Sequence, residues 1–291
     1  MAYNNSIELA KAYVPLLDEV YKNASKTAVL DGNPDLIRAG QNANEICIPK
    51  IDMGGLGDYS RNSGYVDGDV TLEYETVKCN FDRGRMFQTD VMDNIETAGV
   101  AFGQLAGEFI RTKVVPELDA FRFATYAGLD DIGSDTGTLA NGSDVLAALR
   151  AAADEMDEAE VPEEERYLFI TPTLIGMIQD LDTTKSREVL NRFAAVIKVP
   201  QSRFYTAIEQ LDGKTAGETA GGYKKATGAA DINFMIIHKP AVIQFEKHVA
   251  PKVITPEMNQ KADAYAFGYR NVGIADAYEN KVAGIYVHKK G

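Results

Sequence analysis

The residues that could carry acid–base or metal chemistry are few and widely spaced in this chain. Its three histidines are His238, His248 and His288, and none has a cysteine or second histidine at zinc-ligand spacing. We therefore expect each histidine at a strand end or on the surface, rather than as a metal ligand or a catalytic base. The motifs of a serine nucleophile elbow, a phosphate-binding loop and a zinc protease are also missing from the sequence. These features favour a protein without catalytic residues, cofactor or metal.

Carboxylates are the abundant group that could do chemistry. Eight of them lie between Asp154 and Glu165, and such a run could bind cations. Because no turn in this segment would bring the groups around one ion, a solvated acidic surface is the interpretation we favour.

Asp90 and Asp93 could form a catalytic carboxylate pair. Both lie where a long helix is predicted to begin, beside its positive dipole end, so helix capping explains them without chemistry. Asp93 and Glu96 fit a capping box, in which Asp93 accepts from a first-turn N–H and Glu96 reaches back.

Length, composition and charge limit the class of protein. The chain has 291 residues, of which 45% are apolar, enough for a substantial core in one large domain or two small ones. No apolar run reaches membrane-spanning length and the N-terminus lacks the pattern of a secretion signal, so we expect folding in a cytoplasm. The net charge is −13 and the sequence has no basic stripe, so any contact with DNA should be weak and nonspecific.

Two alternating segments predict an extended hairpin. Its strands are residues 45–51 and 69–79, and the connection between them is rich in glycine and polar residues. Because a lone hairpin is marginally stable in water, this one either packs on its own domain or rests on another chain. Residues 83–90 are predicted to follow as a third strand. Cys47 and Cys79 could face each other across the hairpin, but two free thiols are the interpretation we favour.

The longest predicted helix contains a proline. Apolar residues three and four positions apart predict a helix from Asn94 to Ala127, which Gly128 ends. Pro116 lacks an N–H and crowds the preceding turn, which costs about 3 kcal/mol in an intact helix. We therefore expect a kinked helix or two helices in tandem.

The remaining segments alternate between helices and strands. We expect a helix capped by Ser143 or Asp144 and a mobile surface loop at 212–231. Residues 240–248 should form a helical turn, and residues 262–288 should form two antiparallel strands joined at 278–281. Further short strands are expected at 166–170, 194–200, 203–208 and 232–238.

Five segments, taken in order, resemble the major capsid proteins of tailed bacteriophages. They are RGRMFQTDVMDNIET (83–97), RTKVVPELDAFRFATYAG (111–128), VPEEERYLFITPTL (161–174), KVPQSRF (198–204) and AYAFGYRNVGIADAYENKVAGIYVH (264–288). The resemblance implies an α+β fold with four parts. These are an N-terminal arm (1–44), an extended β-hairpin loop (45–82), a peripheral domain with a long spine helix (83–139 and 237–291) and an inserted axial domain (140–236).

The resemblance also implies a function. Proteins of this family assemble as pentamers and hexamers into an icosahedral shell around packaged double-stranded DNA. The subunit would therefore be assembled in the cytoplasm of a bacterial host and belong to the virion. Because the hairpin begins near residue 45, we expect the scaffolding protein to be a separate chain, alongside a portal. Residues 51–77 contain no lysine, so we expect no isopeptide cross-link from the hairpin.

Four residues are assigned roles on this basis. Tyr59, Arg61 and Tyr65, in the connection of the hairpin, either contact a neighbouring subunit or are solvent-exposed loop residues. Pro116 would be a flexing point of the spine helix. The arm either docks on its own domain or lies on a neighbouring subunit.

Two other functions stay open at this point. The first is the shell of an encapsulin-like nanocompartment, which encloses enzymes rather than a genome. The second is an acidic soluble enzyme that uses carboxylates and a divalent metal. Particle size and cargo discriminate the three, because an enzyme of this kind would be a monomer or dimer and only a phage shell would contain DNA.

Overall fold

The computed structural model describes residues 25–32, 38–39, 45–53, 55, 57–59, 61, 64–65, 67–68, 70–92, 106–181 and 184–291. It is an α+β protein, as predicted. The last part of the spine helix is α1 (Val115–Ala127). It is followed along the chain by α2 (Gly142–Glu158), α3 (Pro172–Leu181) and α4 (Thr184–Asn191). The strands of the first half are β1 (Arg38–Ala39), β2 (Glu45–Met53), β3 (Val70–Lys78), β4 (Phe81–Asp90), β5 (Gly133–Gly137), β6 (Arg166–Ile170) and β7 (Ala195–Lys198). Those of the second half are β8 (Ile208–Gln210), β9 (Tyr223–Lys225), β10 (Ile232–His238), β11 (Val242–Ile254), β12 (Ala264–Ala277) and β13 (Ile285–Lys290).

The predicted hairpin is present. Strands β2 and β3 pair antiparallel from Glu45 opposite Lys78 to Met53 opposite Val70, and the short β1 adds to the free edge of β2. Cys47 lies opposite Thr76, and Cys79 follows the end of β3. The two cysteines therefore do not face each other, and both are free thiols.

A three-stranded antiparallel sheet forms the first layer, in the order β11–β12–β4. The predicted third strand is β4, and it pairs with residues 264–273, the first ten residues of β12. One face of this sheet packs on the spine helix through Phe267 and Tyr269, which share a buried cluster with Ile110 and Leu118. The first half of the spine helix therefore covers the three-stranded sheet.

A five-stranded mixed sheet forms the second layer, in the order β5–β13–β10–β6–β7. Helices α2 and α3 cover one face, where Leu149 and Ile175 pack against Leu168 and Phe234. The other face packs on the second half of α1, since Phe123 and Tyr126 share a cluster with Phe169, Met235 and Ile237. The spine helix therefore joins the two layers by packing against both sheets.

The spine helix accommodates Pro116, which cannot donate a backbone hydrogen bond, by a change of helix type. Residues 106–109 are α-helical, Ile110–Val114 is a π-helix, and α1 continues to Ala127, with Gly128 as its C-cap residue. The N–H of Val115 donates to the carbonyl of Ile110, five residues back. A π turn is wider than an α turn, so it lets the backbone pass the proline ring without breaking the helix. The predicted helix is confirmed over 106–127, and residues 93–105 lie outside the described part.

Several local predictions for the second half of the chain are wrong. Helix α2 is capped by Asn141, whose Oδ1 accepts from the N–H of Asp144, instead of by Ser143 or Asp144. Residues 242–248 belong to β11 instead of a helical turn, because their long-range pairing with β12 outweighs local preference. Residues 203–208 form a strand only from Ile208, after a 3₁₀ turn at Gln201–Arg203.

Two further corrections concern strand pairing. Strands β12 and β13 were expected to pair with each other, but β12 pairs with β11 and β4, whereas β13 pairs with β10 and β5. The segment 212–231 contains β9, which pairs with β8, so it is not simply a loop. Both errors arise because an alternating pattern identifies a strand but not its partner.

Candidate assembly surfaces

The connection of the β2–β3 hairpin exposes aromatic side chains. Tyr59 is 61% exposed and Tyr65 is 88% exposed, and their ring centroids lie 4.9 Å apart. Arg61 is exposed on the same connection, and Val70, at the start of β3, is 69% exposed. The structure thus brings the two predicted tyrosines together and leaves their apolar surface in water. Whether Tyr59, Arg61 and Tyr65 contact a neighbouring subunit stays a prediction.

The root of the hairpin is anchored on its own chain. Val77 and Cys79 pack against Ile243 and Ile274, on the face of the three-stranded sheet that turns away from the spine helix. Burial raises the pKa of the Cys79 thiol. The Asn80 amide donates to the carbonyl of Ala275 at 2.7 Å and accepts from its N–H at 3.1 Å. The hairpin therefore leaves the body of the protein from a fixed base.

The described end of the N-terminal arm, residues 25–32, docks on the spine helix through a buried carboxylate. The side chain of Asp119 accepts hydrogen bonds from the hydroxyls of Ser25 (2.8 Å) and Thr27 (2.7 Å) and from the N–H groups of Lys26 (3.0 Å) and Thr27 (3.2 Å). Oδ1 accepts from both hydroxyls and from the Thr27 N–H, whereas Oδ2 accepts from the Lys26 N–H and pairs with Arg203 at 3.1 Å. Every lone pair of this fully buried carboxylate therefore has a donor nearby, as burial of a charge requires.

Arg122 completes the same network, and we call Ser25, Thr27, Asp119, Arg122 and Arg203 the clasp. The buried Arg122 guanidinium donates to Thr27 Oγ1 at 2.9 Å and pairs with Glu246 at 3.2 Å and Asp31 at 3.4 Å. The clasp ties arm, spine helix and three-stranded sheet to one another. For residues 25–32 the arm therefore docks on its own domain, and residues 1–24 lie outside the described part.

Gln244 supports the clasp from β11. Its amide donates to the carbonyl of Thr27 and to Asp31, each at 2.7 Å, and its oxygen accepts from the Tyr126 hydroxyl at 2.9 Å. Burial raises the pKa of Tyr126, so the phenol stays protonated and keeps donating. Sequence periodicity gave no signal for this network, because its members are far apart along the chain.

A groove of about 1460 Å³ lies between the inner face of β4, the start of the spine helix and the β8–β9 hairpin. Among the described residues, seven cationic side chains line its walls, together with three carboxylates, Glu108, Glu117 and Asp212. The seven, which define the cationic groove, are Arg83, Arg85, Lys113, Arg203, Lys214, Lys224 and Lys225. No stripe of this kind is visible in the sequence, since the seven residues come from four separated segments.

Arginines of β4 hold the β8–β9 hairpin over this groove. Arg83 donates to Glu117 of α1 at 2.7 Å and to the carbonyls of Leu211 (2.7 Å) and Gly222 (3.2 Å). Arg85 donates to the carbonyls of Ala220 at 2.6 Å and Thr219 at 3.0 Å. The glycine-rich segment predicted as a loop is therefore tied to the three-stranded sheet through its backbone. Burial raises the pKa of Glu117 and outweighs the opposing effect of Arg83.

The acidic run has the surface location that we favoured. All eight carboxylates between Asp154 and Glu165 are exposed. Arg192 pairs with Asp154 at 3.1 Å, with Glu163 at 3.5 Å and with Asp157. Within the described ranges, no group of three or more histidine, cysteine, aspartate or glutamate side chains could hold a metal ion.

Two of the three histidines lie where the sequence predicted, and one does not. His238 ends β10 and His248 is exposed on β11. His288, expected at a strand end or on the surface, is buried in the middle of β13, where it stacks on Phe234 with ring centroids 5.0 Å apart. Burial lowers the pKa of His288, so the neutral form is favoured there. Its Nδ1 lies 3.1 Å from the side-chain nitrogen of Asn233, in hydrogen-bond distance, and its Nε2 lies 4.0 Å from an oxygen of Asp135.

The predicted helix cap can be followed only in part. Asp90 accepts from the N–H of Met92 at 2.9 Å, which supports capping rather than catalysis for this carboxylate. Asp93 and Glu96 lie outside the described residues. In the part of the chain that the structure describes, no helix is long and apolar enough to cross a membrane.

Solved structures match this chain across most of its length. A structure from Gordonia phage Cozz has a TM-score of 0.58 and 12% identity, and the match covers 92% of this chain and 86% of that one. The capsid of Staphylococcus phage Andhra has a TM-score of 0.55 and 10% identity, with 90% and 83% covered. A virus-like particle from Pyrococcus furiosus has a TM-score of 0.53 and 11% identity, with 93% and 98% covered. No protein-family model and no curated protein matches the sequence.

These matches define the class of fold. The chain has the fold of tailed-phage capsid proteins, which confirms the predicted fold class, and the division into four parts stays a prediction. At 10–12% identity the likeness concerns the fold, and the function is inferred below.

Proposed function

We propose that this chain is a major capsid protein, which self-assembles as pentamers and hexamers into the icosahedral head that encloses phage double-stranded DNA. The observation that carries the proposal is the exposed β2–β3 hairpin on a chain with a capsid fold. Its tip leaves Tyr59 and Tyr65 in water, whereas its root is fixed to the body of the protein. A hairpin that is anchored at its root and exposes aromatic side chains at its tip is suited to contact another copy of the chain.

Shell formation explains why exposed aromatic and apolar side chains are tolerated on the hairpin. A closed shell needs heterologous contacts, in which different surfaces of identical chains meet. Burial of apolar area contributes about 25 cal/mol per Å², so two tyrosines and a valine that become buried at an interface would stabilise it appreciably. We assign Tyr59, Arg61 and Tyr65 to this contact.

The layers of the fold suggest the parts of the subunit. We assign the three-stranded sheet and the spine helix to the peripheral domain (83–139 and 237–291) and the five-stranded sheet to the axial domain (140–236). Residues 1–44 and 45–82 would be the arm and the extended loop. Strands β5 and β13 hydrogen-bond within the five-stranded sheet, so in this assignment they extend the axial domain beyond its sequence boundaries.

Pro116 is proposed as a flexing point of the spine. Pro116 donates no backbone hydrogen bond, and it follows a π-helix between the two parts of the spine that pack on different sheets. Replacement of Pro116 by Ala should restrict the change in subunit curvature between pentamers and hexamers, with fewer closed particles seen by electron microscopy. Unchanged assembly and expansion of Pro116→Ala shells would count against this role.

Several partners follow from the proposed function. We propose a separate scaffolding protein, a portal, and weak nonspecific contact with packaged DNA. Assembly would take place in the cytoplasm of a bacterial host, and the product would be the virion capsid. Because residues 51–77 contain no lysine, mature shells should release single subunits in denaturing gels, and a ladder of cross-linked bands would refute this expectation.

The test of the proposed function is particle formation. The full chain, expressed alone and with the head genes that flank it, should sediment as megadalton particles and appear as closed shells in negative stain. A compact monomer or dimer that binds a divalent metal would instead support the acidic enzyme.

An encapsulin-like nanocompartment is the second candidate. The match to the Pyrococcus furiosus virus-like particle keeps it open, but it is less supported, since the other structures compared above come from phages. Cargo separates the two candidates: DNA-filled heads with a portal support the phage shell, and portal-free spheres loaded with an enzyme support the compartment.

A further inference from the structure

We propose that His288, Asn233 and the carbonyl of Gly137 form a pH-sensitive switch, which holds the edge strand β5 on the five-stranded sheet while His288 is neutral and loosens it when His288 is protonated. The inference goes beyond the proposed function and does not depend on it. A β-bulge, the hydrogen-bond roles of three groups and the burial of one imidazole support it.

A β-bulge in β10 places the side chain of Asn233. The register between β10 and β13 shifts between Ile232 and Phe234, so Asn233 is an extra residue in the ladder. A bulge redirects the side chain of its extra residue. Here the Asn233 amide donates to the carbonyl of Gly137, the last residue of β5, at 3.2 Å. The amide therefore links β10 to an edge strand whose backbone pairs with β13.

The carbonyl of Gly137 determines the hydrogen-bond roles of the other two groups. A carbonyl only accepts, so the part of Asn233 that faces it must be the amide N–H₂ and not the amide oxygen. The same nitrogen lies 3.1 Å from Nδ1 of His288, and its second N–H donates there. Nδ1 is therefore the unprotonated nitrogen of a neutral imidazole, whose proton is on Nε2.

Protonation of His288 removes the acceptor from this bridge. Nδ1–H then faces the N–H₂ of Asn233, so two donors oppose each other. Rotation of the Asn233 amide by about 180° would give Nδ1–H an acceptor, but it would turn the amide oxygen towards the carbonyl of Gly137. Either arrangement loses one hydrogen bond, so the bridge is complete only with neutral His288.

The surroundings of the ring favour the neutral form. His288 is 2% exposed and stacks on Phe234, and burial lowers the pKa of its imidazole. Asp135 of β5 faces the ring, with Oδ2 4.0 Å from Nε2, and opposes this shift in pKa without reversing it. Glu155, the acidic residue that α2 contributes here, lies beside Tyr286 instead. The residues of β10 that contact the imidazole carry no charge.

The sign of the pH dependence follows from the lowered pKa of His288. A released imidazole takes up a proton near its usual pKa of about 6.5, whereas the imidazole in the sheet binds one only at lower pH. The stabilisation by the bridge is therefore complete above about pH 6.5 and is lost as the pH falls below this value. The loosened elements would be β5 and the end of β13, since the N–H of Gly291 also donates to the carbonyl of Gly137, at 3.3 Å.

Hydrogen exchange of the full-length subunit tests the switch, with mass spectrometry at about pH 7.5 and about pH 5, on either side of the usual imidazole pKa. After correction for the intrinsic effect of pH on exchange, the protection of amides 133–137 should fall about three- to tenfold at the lower pH, as loss of one hydrogen bond predicts. His288→Asn keeps an acceptor near the position of Nδ1 and cannot titrate, so its protection should change less than about twofold. Equal protection of the unchanged chain at both pH values, or the same fall in His288→Asn, overturns the proposal.

The other two histidines provide the controls. His248→Asn removes an exposed imidazole of β11, so the fall in protection at 133–137 should stay within about twofold of that in the unchanged chain. His238, whose pKa burial also lowers, ends β10 opposite Arg166 and should affect amides there instead. Loss of the fall at 133–137 in His248→Asn would assign the titration to another group and overturn the switch.

Asp135→Asn gives a second test that does not alter the buried ring. The substitution removes the carboxylate that faces Nε2, so the midpoint of the fall in protection should move to lower pH. Because the side chain of Asp135 is mostly exposed, this variant should fold even if His288→Asn does not. A midpoint that stays in place or rises shows that His288 is not the titrating group, and the proposal is then wrong.

Discussion

The end of the N-terminal arm and the β2–β3 hairpin are two extensions of one polypeptide, and their surroundings differ sharply. Residues 25–32 end in the clasp, where Asp119 and Arg122 are buried and fully partnered. In the described part of the hairpin, the root packs on the body of the protein and the tip exposes Tyr59 and Tyr65. Polar groups satisfied within the chain stabilise the subunit, whereas apolar groups left in water are available for a contact between subunits. The unfolding free energy of the unassembled subunit and its assembly can therefore be perturbed separately.

The largest expected effect comes from removal of the clasp charge. Asp119→Asn removes the buried negative charge that pairs with Arg203 and turns an amide N–H₂ towards a backbone donor, so we expect a loss of about 3–5 kcal/mol in unfolding free energy. Urea titration of the unassembled subunit measures it. Asp82→Asn is the control, because its partner Arg270 is solvent-exposed and the titration should barely change. Equal effects of the two variants would show that the clasp is not a stabilising network.

A smaller loss is expected from Thr27→Val, which keeps the shape of the side chain and removes its hydroxyl. That hydroxyl donates to Asp119 and accepts from Arg122, so two buried charged groups each lose a partner. Hydrogen bonds to charged groups contribute about 1.5–3 kcal/mol, and we expect a loss of about 2 kcal/mol. Thr125→Val, which removes only a bond to a carbonyl of its own helix, should cost clearly less in the same titration.

At the root of the hairpin the expected effect is smaller again. Val77→Ala removes part of the contact with Ile243 and Ile274 and should cost about 1 kcal/mol, because this side chain is only half-buried. Val70→Ala, on the same strand but mostly exposed, should stay within about 0.5 kcal/mol. If both variants are neutral, the root is not anchored as described.

Substitutions at the tip of the hairpin should have the smallest effect on the unfolding free energy of the subunit and a large effect on shell assembly. Tyr59→Ser with Tyr65→Ser should change the unfolding free energy by less than about 0.5 kcal/mol, since both rings are exposed. The concentration needed for assembly, followed by light scattering, should rise at least about tenfold, because buried tyrosines are frequent hot spots of interfaces. If the double variant destabilises the subunit and leaves assembly unimpaired, the tip of the hairpin stabilises the subunit and not the shell.

Local sequence patterns predicted the elements better than their partners. The alternation that predicted β2 and β3 located both strands, and the apolar spacing located the helix that ends at Gly128. The same alternation located β12 and β13 but paired them wrongly, since each joins a different sheet. The loop expected at 212–231 contains β9, held near β4 by Arg83 and Arg85, and nothing local indicates those contacts.

The candidate assembly surfaces divide in the same way. Tyr59, Arg61 and Tyr65 were recognisable because aromatic and charged residues stand out in a glycine-rich connection. The clasp and the cationic groove were not, because Thr27, Asp119 and Glu246, or Arg85, Lys113 and Lys214, are separated by tens of residues or more along the chain. A net charge of −13 gave no indication of a local excess of cations.

By itself the sequence determined where most strands and helices form and that Pro116 must disturb the longest helix, because side-chain periodicity and the missing proline N–H act within a few residues. Only the tertiary structure decided how that helix adapts, which strands pair, why His288 is buried, and where opposite charges meet. These outcomes depend on distances between residues remote in the chain. Hydrogen bonding and electrostatic interaction act through those distances, and the order of residues along the polypeptide does not specify them directly.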